Sequence, residues 1–416
     1  MTPDMKWYQH IRYEYQRWPL WRWDLNWAYI RKSFKHRCDP LTLTDFQHYQ
    51  AMRQWTVNYL AANTGCPERH VNIAAVGDIM WIREGWQNAL SPGVKDVLSK
   101  ASLTINNMET PIAPNKPVPR LVYETFHYNA PVEYLDNWQG LPASSQHLFS
   151  LCNNHALDQG VEGLEATRQA ILAKDARFHC IGGAGVDEDY QIVSLDGITI
   201  GVFSASFGIN HLKAGAAPPQ SIPVQHFGNS HQSPDWERIK KTLHHLKAHC
   251  DFIIFYPHWG YEYEYWPDQL QRDHALTLIE LGVDVIIGHS PHVLQPIDYV
   301  SINHFDPACP LQVEREGAAK LGMIAWSLGN FLSIMPTLAC KTGVILQLSL
   351  THTGKCWSVD KAMPVPVFTG RPEKGGMLQR GVMLLSELPQ KHLNKKSQIL
   401  AHCHHLFPII NDKATL

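Results

Sequence analysis

The stretch VNIAAVGD, residues 71–78, shows the pattern that decides the fold of this chain. A short, mostly apolar run of the kind that forms a buried strand ends in a glycine and a carboxylate, Gly77 and Asp78. Similar apolar runs recur at residues 103–105, 148–151, 251–256 and 283–287. Each run is followed closely by polar side chains, so we predict buried strands whose ends carry chemically active residues.

Helical patterns lie between these strands. Apolar residues recur at helical spacing in Gly160–Lys174, Trp236–His249 and Gln269–Leu281. Residues 191–206 instead contain two alternating runs around Asp196-Gly197, which predicts a β-hairpin, and residues 341–367 also favour strands. The chain is therefore predicted to be an α/β protein, with two packed sheets flanked by helices in a four-layer α-β-β-α sandwich.

Composition and charge restrict the class of protein. The chain has 416 residues, of which 44% are apolar and 18% charged, a balance typical of a globular protein. Its net charge of -2 provides no basic field, so we expect no nucleic-acid partner. The nine scattered cysteines form no CxxC pair and favour a reducing compartment. Without a signal-peptide pattern or a long apolar run, we expect a cytoplasmic protein.

Residues 1–70 differ in composition from the rest of the chain. They contain six tryptophans with many tyrosine and arginine residues between them: Trp7, Trp18, Trp21, Trp23, Trp27 and Trp55. Such a segment could make a peripheral membrane contact, or it could pack on the main domain as a helical cap. Its irregular apolar face and the acidic Asp24 and Asp39 favour the cap. We predict an extension at 1–70, a main domain at 71–370 and a tail at 371–416.

Ligand-type side chains follow the predicted strands. Because open α/β sheets build their sites at the carboxyl ends of strands, we expect these side chains to converge. Each has an ordinary alternative when taken alone, such as a helix cap for Asp78, an exposed loop position for Glu109 or a turn for Asn330. The candidates are Asp78, Glu109, Asn154, His155, Asp158, His258, Glu262, His289, His292 and Asn330.

The sequence GHSPH, residues 288–292, is the most specific single motif, because two histidines three residues apart in a Gly/Pro turn can reach one cavity. Asn153, Asn154 and His155 also need partners, since an unsatisfied buried polar group costs about 1–3 kcal/mol. Carboxylates and imidazoles that follow several separate strands are the donors that a metal ion requires. The joint pattern therefore predicts a metal site.

Six motifs in order resemble the signature series of the CapA family, which is named for bacterial poly-γ-glutamate capsule synthesis. They are GDIM, NNMETP, NNHALDQG, HWGYEY, GHSPHVLQP and SLGNF. The resemblance covers about residues 71–335 and implies the calcineurin-like metallophosphoesterase fold, with metals bound between strand ends. It implies a hydrolase that uses one or two divalent ions (Mn, Zn or Fe) on a phosphoester, a polyglutamate-like amide or a cell-envelope polymer.

The resemblance also implies residue roles. Asp78 resembles a ligand of the first metal, Glu109 a bridging carboxylate and Asn154 an amide ligand of the second metal. The three later histidine ligands correspond to His258, His289 and His292. His155 resembles the histidine that stabilises charge on the transferred group or protonates the leaving group. We group Asp158, Glu262 and Asn330 with it as catalytic candidates; Glu262 could hydrogen-bond a ligand histidine or act on substrate, and Asn330 could orient another group or contact substrate.

Two departures from the superfamily pattern bear on the metal count. The first motif is usually Asp-x-His, whereas this chain has Asp78-Ile79-Met80. The last motif separates His289 and His292 by two residues instead of one. One tightly held ion is therefore an alternative to two, and a non-catalytic component of polymer assembly is the alternative function. Substrates are expected to be a polymer or a small molecule.

Overall fold

The computed structural model describes residues 69–118, 127–183, 189–210, 222–225, 227, 233–302, 312–313, 320–352, 356–370, 381–389 and 393–407. The predicted membrane contact or helical cap of the N-terminal extension falls on residues 1–68, outside the described residues.

The described residues form fifteen strands. They are β1 (Arg69–Ile79), β2 (Leu103–Asn107), β3 (Gln146–Ser150), β4 (Phe178–Ile181), β5 (Tyr190–Leu195), β6 (Ile198–Phe203), β7 (Phe252–Phe255), β8 (Val285–Ile287), β9 (Ile297–Ile302), β10 (Gln312–Val313), β11 (Lys320–Ala325), β12 (Asn330–Leu332), β13 (Thr342–His352), β14 (Trp357–Gly370) and β15 (Gly381–Leu384). Each of the five predicted strand runs overlaps one of them, as does the predicted hairpin, now β5–β6.

Helices connect many of these strands. They are α1 (Pro92–Ser99), α2 (Asp136–Gln139), α3 (Gly160–Lys174), α4 (Trp236–His249), α5 (Gln269–Leu281) and α6 (Leu393–Leu406). The predicted bounds of α3, α4 and α5 are confirmed. Local chemistry explains where α4 and α5 begin, because Asp235 and Asp268 each accept a hydrogen bond from a backbone N–H in the first turn. Gly282, at a φ of 116°, ends α5.

The strands form two sheets. The first has the order β15-β14-β13-β1-β2-β3-β4, with β12 also paired to β1. Within it β1, β2, β3 and β4 are parallel, and β13, β14 and β15 continue antiparallel. The second sheet has the order β10-β9-β11-β8-β7-β6-β5, and β6, β7, β8 and β11 are parallel. Parallel pairing places the carboxyl ends of neighbouring strands at the same edge of each sheet.

Three hydrophobic clusters define the layers. One lies between the sheets and includes Ile73 of β1 and Ile254 of β7. A second combines the outer face of the first sheet with α1 and α3, and a third combines the outer face of the second sheet with α4 and α5. Side chains alternate between the two faces of a strand, so each sheet buries both faces. The predicted α-β-β-α sandwich is confirmed.

Two elements beyond residue 370 pack on this sandwich. The strand β15 pairs with β14, and Val382 lies in the cluster on the outer face of the first sheet. Ile399 and Cys403 of α6 are buried in the cluster between the sheets. None of the helices in the described ranges has the length and apolar character needed to cross a membrane.

Candidate metal centre

Donor side chains from both sheets meet at one edge of the sandwich. The first sheet contributes Asp78 near the end of β1 and Glu109 just after β2, and the second contributes His258 after β7. The two sheets are tied together beneath them by Tyr256, whose hydroxyl lies 2.7 Å from the carbonyl oxygen of Val76. Convergence thus follows from the two parallel strand sets facing each other.

Asp78, Glu109 and His258 form the tightest group of donors. One potential ligand atom from each lies within 4.8 Å of the other two, and all three residues are buried. The Nε2 atom of His258 is 3.6 Å from Oε1 of Glu109. Two carboxylates and an imidazole suit Mn, Zn or Fe. We refer to these three residues as the triad.

The local sequence lets the triad form. Asp78, Asn107 and Asn330 are register partners on β1, β2 and β12, so their side chains lie side by side. The backbone of β12 can approach β1 only because Gly77 has no side chain. A Cβ at Gly77 would lie 1.9 Å from the carbonyl oxygen of Gly329.

Asn107 is a site residue to which the sequence analysis assigned no role. Its Nδ2 atom donates to Oδ1 of Asp78 at 2.7 Å and lies 3.2 Å from Nδ1 of His258. Its Oδ1 atom accepts from Nδ2 of Asn153 at 3.4 Å. The sequence signal that could have identified it is the pair Asn106-Asn107 at the end of a strand. Because side chains alternate between the two faces of a strand, only one of these two asparagines can point toward the site. Asn107 orients two of the three triad side chains.

Asp78 is held in its charged form. Burial alone raises the pKa of this carboxyl group, but the hydrogen bond with His292 and the charges of His292, His258 and His289 outweigh burial. The net result is a pKa below the usual range for aspartate. A deprotonated carboxylate is the form that binds a cation.

His289 has the character of an unsatisfied ligand. Burial lowers the pKa of His289 to about 4, partly opposed by the charge of Asp78, so the imidazole is neutral near pH 7. Neither ring nitrogen has a hydrogen-bond partner within the described part of the chain. The Nδ1 atom lies 3.8 Å from Oδ1 of Asp78. An orphaned neutral imidazole beside a carboxylate fits a divalent ion, because the ion would use the lone pair.

His292, unlike His289, has hydrogen-bond partners for one ring nitrogen. Its Nδ1 atom lies 3.0 Å from both Oδ2 of Asp78 and Oδ1 of Asn330. The side-chain amide of Asn330 cannot be flipped to exchange Oδ1 and Nδ2, because Nδ2 donates to the carbonyl oxygen of Cys340 at 2.9 Å. Nδ1 of His292 therefore faces two acceptors and carries a proton. Its Nε2 atom faces Glu262 instead, 4.0 Å from Oε1.

The predicted pair of His155 and Asp158 lies together. Nδ1 of His155 is 2.7 Å from Oδ2 of Asp158, and Nε2 is 3.4 Å from Nδ2 of Asn210. The ring packs against Tyr128, with centroids 4.4 Å apart. Burial, followed by the charges of Glu109, Asp158 and Glu262, raises the pKa of the Tyr128 hydroxyl. The sequence analysis missed Tyr128 and Asn210, and neither belongs to a recognisable motif.

Asn154 and Met80 have different surroundings. Oδ1 of Asn154 is buried and has no hydrogen-bond partner among the described residues, as expected of an atom that awaits a ligand. Met80, which stands where the superfamily pattern has histidine, is buried in the hydrophobic cluster on the outer face of the first sheet. It therefore adds apolar packing at the position where the superfamily pattern has a metal ligand.

Together, the fold and these donors define an α-β-β-α sandwich protein with a candidate metal centre between its two sheets. The family model described as bacterial capsule synthesis protein PGA_cap matches residues 72–335. The chain therefore belongs to this family, and the resemblance to CapA proteins is confirmed.

Two curated relatives are similar to part of the chain. The capsule biosynthesis protein CapA of Bacillus anthracis is 27% identical over 229 residues, which are 54% of this chain and 49% of that protein. The PGA biosynthesis protein CapA of Bacillus subtilis (strain 168) is 30% identical over 210 residues, or 50% of this chain and 48% of that protein. The chain thus spans about half the length of the curated relatives it matches.

Solved structures similar to the chain are distant in sequence. A putative 5'-nucleotidase from Staphylococcus aureus is 14% identical, with a TM-score of 0.42, and the match covers 80% of this chain and 58% of that one. The calcineurin-like phosphoesterase YfkN from Bacillus subtilis is 13% identical, with a TM-score of 0.36, and the match covers 81% of this chain and 97% of that one.

Proposed function

We propose that this chain is a CapA-type, metal-dependent hydrolase. Its substrate would be a phosphoester, or an amide bond in a polyglutamate-like or other cell-envelope polymer. Its role would lie in capsule or poly-γ-glutamate biosynthesis. The observation that carries the proposal is the convergence of Asp78, Glu109 and His258 at the carboxyl ends of strands from both sheets.

The chemistry follows from the donors and their neighbours. A bound Mn, Zn or Fe ion would activate water and polarise a phosphoryl or acyl oxygen. Asn107 holds Asp78 in place through the hydrogen bond to Oδ1. Asp158 binds Nδ1 of His155, and we assign proton exchange with substrate to the other ring nitrogen, Nε2, which lies 3.4 Å from Nδ2 of Asn210. A histidine oriented by a carboxylate in this way can protonate a leaving group.

Elemental analysis of the purified full-length protein tests the proposal. The wild type is compared with a Glu109→Gln/His258→Ala variant, which removes two triad donors. The matched control is Glu133→Gln/His244→Ala, which changes the same residue types at exposed positions. We expect near-stoichiometric Mn, Fe or Zn in the wild type and the control and none in the triad variant. A wild type that binds no metal even after reconstitution would falsify the hydrolase proposal.

A non-catalytic role in polymer assembly is the second candidate. The observation that favours it is the apolar environment of Met80, which removes one ligand of the superfamily pattern. Metal-loaded protein should be assayed on phosphomonoesters, phosphodiesters and γ-glutamyl amides. Turnover of any of these supports the hydrolase, whereas full metal loading without turnover of any substrate class supports the assembly role.

A further inference from the structure

Two exposed histidines lie one helical turn apart near the end of α4. His245 and His249 are four positions apart in the sequence, so their side chains project from the same face of the helix. Their rings are stacked, with centroids 4.3 Å apart and an interplanar angle of 29°. The helix surface therefore presents two imidazoles side by side, at a spacing that can place both on one metal ion.

The hydrogen bonding of His249 leaves one of its ring nitrogens available as a ligand. The Nδ1 atom lies 2.8 Å from the backbone carbonyl oxygen of His245. Because a carbonyl oxygen only accepts hydrogen bonds, Nδ1 is the donor and carries the proton, and the lone pair of the neutral ring is on Nε2. Histidines that bind metals are commonly oriented in this way, with one nitrogen donating to a carbonyl and the other facing the ion.

His245 is held in place by aromatic contacts. Besides its contact with His249, its ring packs against Tyr190, the first residue of β5, with centroids 5.2 Å apart and an interplanar angle of 42°. This contact ties the side chain to the sheet beneath α4. Since an ordered side chain loses less entropy when it binds a ligand, the pair is partly organised for binding.

The separation of the two rings suits a single ion. Zinc–nitrogen bonds are about 2.0–2.1 Å long, so two nitrogens on one ion can be at most about 4.2 Å apart. In stacked rings with centroids 4.3 Å apart, nitrogens on the same side of the stack are separated by a similar distance. A small rotation of either ring brings two nitrogens within bonding distance of one ion.

The position of the pair in the fold favours a cation and separates it from the triad. Helix α4 ends at His249, and the carboxyl end of a helix carries the negative end of its dipole. The chain then enters the start of β7, whereas His258 of the triad follows the other end of that strand. The pair therefore lies toward the opposite edge of the second sheet from the candidate centre.

We propose that His245 and His249 form a surface site that chelates one transition-metal ion of the class Ni²⁺, Zn²⁺ or Cu²⁺. Nε2 of His249 and one ring nitrogen of His245 are the protein ligands, and water completes the coordination. Imidazole nitrogen suits these ions, whereas Mg²⁺ and Ca²⁺ prefer oxygen ligands. The inference is independent of the proposed function, because neither histidine belongs to the triad.

The alternative is a purely structural role, in which His249 caps the end of α4 and the two rings only stack. A histidine near the end of a helix can hydrogen-bond a carbonyl of the last turn without any metal. The two roles differ in how tightly an ion binds. Separate imidazoles bind it independently, whereas a chelating pair gains about 10²–10⁴-fold in affinity because the second contact is intramolecular.

The test is isothermal titration calorimetry of the metal-free, full-length protein with Ni²⁺. The wild type is compared with His245→Ala, with His249→Ala and with the matched control His244→Ala, which removes an exposed histidine of α4 next to the pair. We expect the wild type and His244→Ala to share a Ni²⁺ site whose affinity falls at least about 10²-fold in each of the other two variants. The triad is intact in all four proteins, so any Ni²⁺ that it binds does not contribute to the difference.

Each other outcome counts against the site. Equal Ni²⁺ binding in all four proteins would refute it and leave the proposed function unaffected. An effect in only one of His245→Ala and His249→Ala would show that a single imidazole binds the ion, which refutes chelation. An equal loss in His244→Ala would show that the histidines of α4 attract Ni²⁺ without a defined site. If circular dichroism shows that one variant of the pair is unfolded, the other decides by the same comparison with His244→Ala.

Discussion

At the scale of single residues, the neighbouring asparagines of β2 have opposite roles. Asn107 binds Asp78 and lies beside His258, whereas Oδ1 of Asn106 accepts a hydrogen bond from the indole of Trp138 at 3.0 Å, on the outer face of the sheet. Asn107 therefore contacts the candidate site, whereas Asn106 makes its hydrogen bond in the hydrophobic core. The two neighbouring residues of the same type form a matched pair for comparison.

We expect Asn107→Ala to weaken metal binding by about 10–100-fold, the usual effect of losing a partner that orients a ligand. Asn106→Ala should leave metal affinity unchanged. It should lower the free energy of unfolding by about 1–3 kcal/mol, because the buried indole N–H of Trp138 loses its hydrogen-bond acceptor. Metal titration and urea denaturation of both variants measure the two effects. Equal metal affinities in the two variants would contradict the role given to Asn107.

His155 tests the assignment of acid–base chemistry. Because it contacts Asp158 and Asn210, whereas the triad comprises three other residues, His155→Ala should retain its metal. Turnover of any substrate found should fall by about 10²–10⁴-fold, the range for loss of a general acid. Elemental analysis and steady-state kinetics on the same sample separate the two properties. Loss of the metal in this variant would show that His155 is a ligand.

At the scale of elements, β3 contains a buried histidine that is not part of the site. Nδ1 of His147 lies 2.6 Å from the hydroxyl of Thr104 on β2, and its Nε2 has no hydrogen-bond partner among the described residues. Burial, with a contribution from the charge of Arg177, lowers the pKa of His147 from 6.5 to about 4. Between these two values the unfolded chain binds a proton that the folded protein does not bind.

Stability should therefore fall as the pH falls from about 6.5 to 4, because protonation favours the unfolded state in this window. Each unit of pKa difference corresponds to about 1.36 kcal/mol, so the full effect is at most about 3 kcal/mol. In His147→Leu the free energy of unfolding should depend less steeply on pH across the same window. Urea denaturation at several pH values measures this slope, and identical slopes for wild type and variant would refute the prediction.

At the scale of the whole molecule, the candidate centre joins the two sheets. Asp78 and Glu109 belong to the first sheet and His258 and His289 to the second, so the complete donor set exists only when the sandwich is formed. A ligand that binds only the folded state stabilises it according to its concentration. Metal binding at this candidate centre would therefore be coupled to the packing of the sheets.

A divalent ion at about 100 times its dissociation constant should raise the free energy of unfolding by about 2.7 kcal/mol. Thermal denaturation with Mn²⁺ and with a chelator measures the effect as a shift in Tm. Asp78→Asn should lose the metal dependence of Tm, and Glu133→Gln, at an exposed position, should keep it. A Tm that Mn²⁺ raises equally in all three proteins would place the bound ion elsewhere.

Much of the fold was readable from the sequence because its signals are local. Helical periodicity lies within a few turns, so the bounds of α3, α4 and α5 followed from the residues themselves. The hairpin β5–β6 followed from Asp196-Gly197 in the same way. The recurrence of ligand-type residues after buried strands identified the candidates but not their distances.

The tertiary structure decided which candidates meet. Asp78, Glu109 and His258 are far apart in sequence and converge because two parallel strand sets end at one edge. The role of Asn107 depends on its register with β1, and the orientation of His292 depends on a left-handed backbone and on contact with β12. Such features arise from strand pairing between distant segments, which local sequence patterns do not encode. The sequence therefore determined the elements and the chemical inventory, and the packing of the two sheets determined the site.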